Sequence, residues 1–283
     1  IYNFNLMWAM FLGSFISLTS NNWFGAWMGL EVNMIAFAVF SMSKSNSQTT
    51  ESVVKYFLTQ SLASLLMMLH FISSMALVPT PQLIWVPLLI SLGVYPLHLW
   101  VYDVGGGLKW KPLFFLLTLQ KLAPLAILSN FMSSSLILMV LVSSLGASLM
   151  GLNNSLLSKI LLTSSIYYTT WLISSLLLSH SLTLMFFLVY TLTLIMIIMF
   201  MKNLIAHINS LHLLGSNKMW VNNILMLSMM GLPPFLGFTV KWIILMNLMA
   251  ASFYTLSLAL AITSTLNIYM YLRMTYLSFI MKP

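Results

Sequence analysis

Charged side chains are so sparse in this chain that stretches of about 20 residues, enough helix to cross the hydrocarbon core of a bilayer, pass with one charge or none. Only 5% of its 283 residues are charged and 60% are hydrophobic, whereas a soluble domain carries about 25% charged residues. The solvent for most of this sequence is therefore lipid, where a helix satisfies its own backbone. The expected fold is all-α: one polytopic transmembrane helix bundle over residues 1–283, with about ten spans. The apolar segments lie at about 3–19, 23–42, 54–77, 82–102, 112–130, 134–152, 157–178, 181–201, 220–247 and 252–272.

The loops sort the charges. With alternating spans, one side receives Lys44, Glu51, Lys55, Asp103, Lys109, Lys111, Lys159, Lys202, Lys218, Arg273 and Lys282. The other receives the turns near Ser20–Asn22, Val78–Pro81, Asn130–Ser133, Ser179–Ser181 and Leu248–Ser252, where His180 is the one titratable group. Basic loops face the cytoplasm or its mitochondrial equivalent, the matrix, so both termini are expected there. The net charge of +8 comes from scattered bases rather than a basic run, which argues against nucleic acid as a partner.

Three charges remain inside the apolar segments: Glu31, Lys121 and Lys241. An ion at the centre of a membrane helix costs about 2.5–3.5 kcal/mol on insertion scales, and such residues mark ion and proton pathways. Lys121 is far from either end of its segment, too far to reach the headgroups. Pro124, three residues on, is expected to loosen the backbone by displacing the carbonyl of Gln120. Two segments look broken. The fourth carries Gly93 and Pro96 in SLGVYPLHLW, and the ninth carries Gly231-Leu232-Pro233-Pro234 and then Gly237. Breaks at membrane depth occur where protein or water satisfies the freed backbone, and transporters bind ions at them. Lys241 follows Pro234 by about two turns, on a similar face.

The remaining polar residues read mostly as structural. His207 and His212 are five apart, about 140° around a helix, and do not share a face for a metal. His70 and His98 stand on separate segments; His98, beside the Pro96 break, is the histidine placed to join a water chain. The dense Ser and Thr residues, including Thr59, Gln60, Ser64, Thr163–Ser165, Thr169 and Thr170, read as helix packing. Gly105–Gly107 reads as a flexible turn, since no strand precedes it and no Gly-Lys-Ser/Thr follows. Spacing at Leu204, Ile208, Leu211 and Leu214 suits a surface helix, a partner contact or a plain loop. With no cysteine in the sequence, disulfides and thiolate-ligated clusters are excluded from this chain. No secretory signal or transit peptide is legible. The first residue is Ile, so an initiator is expected to be missing. Methionine, at 24 residues, is expected to fill gaps between helices.

Five motifs in order carry a resemblance: GLEVN (Gly29–Asn33), KYFLTQSLAS (Lys55–Ser64), YPLHLW (Tyr95–Trp100), LQKLAP (Leu119–Pro124) and GLPPFLGFTVKW (Gly231–Trp242). In these the chain resembles the chain 2 family of mitochondrial NADH–ubiquinone oxidoreductase, complex I, an antiporter-like family of the inner-membrane arm. The resemblance implies a proton-translocating subunit in which Glu31, Lys121 and Lys241 hold the family's path positions. It implies an obligate hetero-oligomer with other membrane-arm and accessory subunits and with phospholipids. Flavin, iron–sulfur clusters and ubiquinone are then expected on partner subunits, with no cofactor or metal on this chain.

The chain departs from the family pattern in three places. Ser91 stands where a lysine usually pairs with the membrane glutamate. Tyr168 stands where a histidine is usual, in Ser164-Ser165-Ile166 and onward to Trp171. An eleventh span is not seen. Two further readings stay open: a free-standing cation/proton antiporter, and a structural subunit with a degraded proton path. A haem-binding redox subunit ranks below both.

Overall fold

The structure, a computed structural model, describes residues 2–42, 46–75, 85–133, 135–152, 154–201 and 216–280. Among these the regular structure is helical. The order is α1 (Tyr2–Thr19), α2 (Trp23–Met42), α3 (Ser47–Met75), α4 (Trp85–Leu92), α5 (Leu99–Gly107), α6 (Trp110–Leu117), α7 (Leu119–Leu128), α8 (Ser135–Gly151), α9 (Leu157–Leu176), α10 (His180–Met201), α11 (Ser216–Met230), α12 (Leu236–Ala250) and α13 (Tyr254–Ile280). Five stretches among the described residues are long and apolar enough to cross a membrane: Trp23–Met42, Ser47–Ser73, Trp110–Phe131, His180–Met201 and Tyr254–Tyr276. Large apolar side chains cover their outer faces. Leu62, Leu65 and Leu69 on α3, Leu188, Leu192 and Met199 on α10, and Leu258 and Ile262 on α13 are all exposed. Contiguous exposure of this size suits a lipid surround rather than water.

The chain divides into two compact units, Ile1–Leu136 and Ile137–Pro283. In the first, α1 packs on α2 and α7, α3 packs on α2, α4 and α5, and α4 packs on α7. The α1–α2 crossing is close because two glycines meet there. A Cβ on Gly13 would lie 2.7 Å from the Asn33 amide nitrogen, and one on Gly29 would lie 2.6 Å from that of Ser17. Small residues let membrane helices approach backbone to backbone, replacing a hydrophobic driving force that lipid does not supply. In the second unit α10 packs on α9, α11 and α12, and α13 packs on α9, α11 and α12.

Nearly the whole length of α9 is buried, and its hydroxyls turn back on their own helix. Thr163, Ser164, Ser165, Thr169, Thr170, Ser174 and Ser175 each donate to the carbonyl three residues earlier, at 2.6–2.9 Å. Bonded in this way, they satisfy themselves and pack as small side chains.

Several local expectations change. Helix α3 begins seven residues before its apolar stretch. Thr49 and Asn46 exchange hydrogen bonds at its start, and Lys55 pairs with Glu51 at 2.8 Å one turn along. Both ions of that pair are well exposed, so water screens their attraction. Gly105–Gly107 forms the last turn of α5 rather than a flexible turn. The absence of side chains there lets it sit against α3, with Ser52 and Gln48 in van der Waals reach of Gly107. Pro124 lies within an unbroken α7, and the irregularity falls a turn earlier, at Thr118 between α6 and α7. There the Lys121 amide reaches only three residues back, to the Thr118 carbonyl at 3.0 Å. The stretch around Leu204–Leu214, with His207 and His212, lies outside the described residues.

The glycine contact generates a test. Gly29→Ala pushes a methyl into the α1 backbone, an overpacking that costs about 1–3 kcal/mol. It is expected to lower the unfolding temperature of the purified protein in detergent. Gly106→Ala, where an added Cβ meets nothing within 4 Å, is expected to leave that temperature unchanged.

Candidate functional site

Helices α4 and α11 end in the same way. Each helix stops at a glycine with positive φ, 66° at Gly93 and 76° at Gly231, a conformation open to glycine at no steric cost. A proline follows three residues later in both, Pro96 and Pro234. In the first unit the Gly93 and Val94 amides bond back to the carbonyls of Ile90 and Leu89 at 3.0 and 3.1 Å, a Schellman closure. In the second the Gly231 amide bonds back to Ser228 at 3.2 Å. The remaining terminal carbonyls must find side-chain donors, and those donors build the two sites.

In the first unit the Trp100 indole donates to the Ile90 carbonyl at 2.9 Å, and the Gln60 amide donates to the Ser91 carbonyl at 3.3 Å. Gln60 lines a narrow cleft of about 30 Å³, where Glu31, Asn33, Tyr56, Ser64, Ser91 and Gln120 interrupt an otherwise apolar wall. A relay of side chains crosses it. The Tyr56 hydroxyl donates to Gln120 Oε1 at 3.0 Å, and Gln120 Nε2 donates to Asn33 Oδ1 at 3.0 Å. Glu31 is half-buried on the cleft wall. Ser91, at the place of the family lysine, turns its hydroxyl back to the Leu88 carbonyl at 2.8 Å.

Lys121 is buried on α7, next to the Gln120 of this relay, with 5% of its surface exposed. That depth excludes a snorkelling lysine, whose head group must reach water. His98 is buried at the start of α5. Its Nδ1 lies 3.2 Å from the Pro96 carbonyl, and its ring stacks on Tyr95 and meets the edge of Tyr102. Its Nε2 and the Tyr102 hydroxyl have no hydrogen-bond partner among the described residues. His98 is set apart from the walls of the Glu31 cleft.

In the second unit Lys241 is also 5% exposed. It does not point along α12 but folds back into the break, against the Cα side of Gly231. Its ammonium donates to the carbonyls of Met229 and Met230, at 3.3 and 3.1 Å. These are the last carbonyls of α11, where the helix dipole places partial negative charge. The same ammonium sits 5.0 Å from the ring centre of Tyr168 and 5.8 Å from that of Trp171. Cation–π contacts of this kind are worth about 0.5–2 kcal/mol. The Tyr168 hydroxyl also donates to the Met229 carbonyl, and the Tyr168 ring stacks on Tyr190 and Phe186 at 4.7 and 5.6 Å.

The structure thus brings Glu31 together with residues of α3, α4 and α7 in one cleft, and gives Lys241 a cage of its own. Charge alone pointed to Glu31, Lys121 and Lys241. It passed over Asn33, Tyr56 and Gln120, which connect the cleft, and Trp171, which walls the cage. Asn33 and Gln120 were within sight, one or two residues from a buried charge and themselves amides in apolar helices. No group of three or more His, Asp or Glu placed to hold a metal occurs among the described residues.

Comparison with known proteins adds the lineage. Residues 70–267 match the family model described as NADH:quinone oxidoreductase/Mrp antiporter, TM. The chain is 33% identical to NADH-ubiquinone oxidoreductase chain 2 of Anopheles gambiae and 35% identical to that of Oryctolagus cuniculus, in each case over 96% of this chain and 84% of the relative. Its fold is similar to that of a chain in respiratory complex I from Thermus thermophilus. The TM-score is 0.89 at 20% identity, over 98% of this chain and 70% of that one. A chain of the Mrp complex from a Dietzia species gives a TM-score of 0.84 at 12% identity, over 95% and 59% of the two chains.

Removing the centre of the relay has a defined cost. Gln120→Leu leaves the Tyr56 hydroxyl and Asn33 Oδ1 buried without partners, at about 1–3 kcal/mol each. Its unfolding temperature in detergent is expected to fall. Asn33→Leu added to it is expected to cost less than Asn33→Leu alone, because the amide pair is already broken.

Proposed function

Because this chain belongs to the NADH:quinone oxidoreductase/Mrp antiporter family, and within it to the NADH-ubiquinone oxidoreductase chain 2 group, we propose that it is a membrane-arm subunit of respiratory complex I that carries protons across the inner mitochondrial membrane. Its membrane segment is read as one antiporter-like domain of ten spans, the fourth and ninth broken, with both termini in the matrix. Electron transfer from NADH to ubiquinone, with its flavin, iron–sulfur clusters and quinone, is assigned to partner subunits. This chain contributes translocation only.

The observation that carries this reading is the burial of two lysines, Lys121 and Lys241, each 5% exposed, in helices bathed by lipid. Ionisable side chains buried within membrane helices are retained where charge has to move. In the proposed path Lys121 holds a proton taken up from the matrix side past the first break, near Pro96 and His98. Lys241 passes it toward the opposite face. Glu31 acts as an electrostatic switch: ionised, it favours a charged Lys121, and neutral, it lets that lysine discharge. The relay through Tyr56, Gln120 and Asn33 supports a polar route across the cleft. Nearer the α3 start, a polar pocket of about 230 Å³ lined by Glu51, Lys55 and Asp103 supports a matrix-side mouth. Each proton moved against the membrane potential costs about 2.3 kcal/mol per 100 mV, which the remote redox reaction must supply.

Lys121→Met in the assembled complex tests the reading. Proton translocation through this chain is expected to be lost while the complex still assembles and oxidises NADH, measured as protons moved per electron in reconstituted vesicles. Full retention of pumping would favour the structural-subunit alternative. Ion exchange by the isolated chain would favour the free-standing antiporter.

A further inference from the structure

All three carboxylates of this chain, Glu31, Glu51 and Asp103, lie in its first 103 residues. The second unit therefore has no acidic side chain to offer Lys241. The charge is met instead by two backbone carbonyls and two aromatic faces. We propose that Tyr168 is a positioning residue for proton transfer at Lys241: its ring face, with that of Trp171, stands in for a counter-ion and keeps the ammonium seated on the broken end of α11. The inference rests on Lys241 being a station of the proton path.

Geometry fixes the parts. Tyr168 is held on three sides. Its hydroxyl is tied to the Met229 carbonyl, Tyr190 and Phe186 stack on its ring, and α9 is buried around it. A ring clamped in this way cannot follow the lysine, so the attraction fixes one place for the ammonium. The Met229 carbonyl accepts from both Tyr168 and Lys241, as its two lone pairs allow. The phenol and the ammonium are thereby registered on one atom. Once Lys241 gives up its proton, the cation–π attraction vanishes and the amine is released from its seat. The Tyr168 hydroxyl then has a neutral amine nitrogen as an alternative acceptor. Holding is thus coupled to charge, and letting go to its loss.

Other titratable groups around the cage are phenols or are engaged elsewhere. Tyr190 of α10 stacks behind Tyr168. Tyr271 of α13 is close enough to interact with both. Arg273 of α13 donates to the Leu152 carbonyl at 3.1 Å. On α11 the described contacts to the ammonium are backbone carbonyls, and α12 contributes Lys241 itself.

The test separates ring from hydroxyl in the assembled complex, reading protons moved per electron as a function of pH. Tyr168→Phe keeps the ring face but loses the hydroxyl bond to the Met229 carbonyl, and is expected to shift the profile by less than half as much as removal of the ring face does. Tyr168→Leu removes the face. It is expected to move the alkaline limb of the profile to lower pH by about one unit, a tenfold loss of proton affinity, with NADH oxidation retained. Tyr168→Met, closer in bulk, replaces it if the leucine variant does not assemble. A profile unchanged in the leucine or methionine variant overturns the proposal. So does a Phe variant displaced as far as Leu, since the hydroxyl would then be the determinant. Lys241→Met is the control: if it pumps fully, the station at Lys241 fails, whatever Tyr168 does.

Discussion

A helix that stops inside an apolar bundle leaves carbonyls facing nothing, and in lipid each such group costs several kcal/mol. The two breaks answer this with side chains drawn from elsewhere. At Gly93 the donors are the Gln60 amide and the Trp100 indole. At Gly231 they are the Lys241 ammonium and the Tyr168 phenol. These donors are the residues that shape the polar sites. Gln60 brings α3 to the cleft that holds Glu31, and Lys241 is drawn off the surface of α12 into its cage. Backbone bookkeeping and charge placement are therefore one problem in this fold. A donor removed from either break would expose a carbonyl and disturb a site together.

Much of this was legible in the sequence because lipid simplifies the reading. The ends of α2, α8, α9 and α10 fall within about two residues of the apolar segments, since polarity changes abruptly there. The ends of α4 and α11 were visible because glycine opens the left-handed conformation and proline removes a backbone donor. Lys121 and Lys241 stood out as charges inside apolar segments. What was hidden depends on three-dimensional approach. Lys241 turns back along its own helix, so its partners at Met229 and Met230 lie twelve and eleven residues away, beyond any helical register. The link between Gln120 and Asn33 spans 87 positions. Pro124 misled locally: a proline constrains the turn before it, but the chain satisfied that constraint by restarting the helix at Leu119.

The departures from the family pattern also acquire physical content. With Ser91 folded onto its own helix, the cleft sets its carboxylate on one wall with amides and a phenol. Tyr168 exchanges a ring that can gain and lose a proton near neutrality for one that offers an electron-rich face. Both changes lower the number of mobile protons beside the buried charges and leave neutral dipoles in their place.

The self-bonded hydroxyls of α9 bear on how current is kept to one course. Conduction along a file of hydroxyls needs each to pass its hydrogen forward and then rotate to receive another. Those from Thr163 to Ser175 donate to carbonyls of their own helix, and a hydrogen engaged there must leave its acceptor before it can be handed on. The helix thus lends its neighbours dipoles more readily than it would pass a proton, as a ceramic sleeve does around a wire.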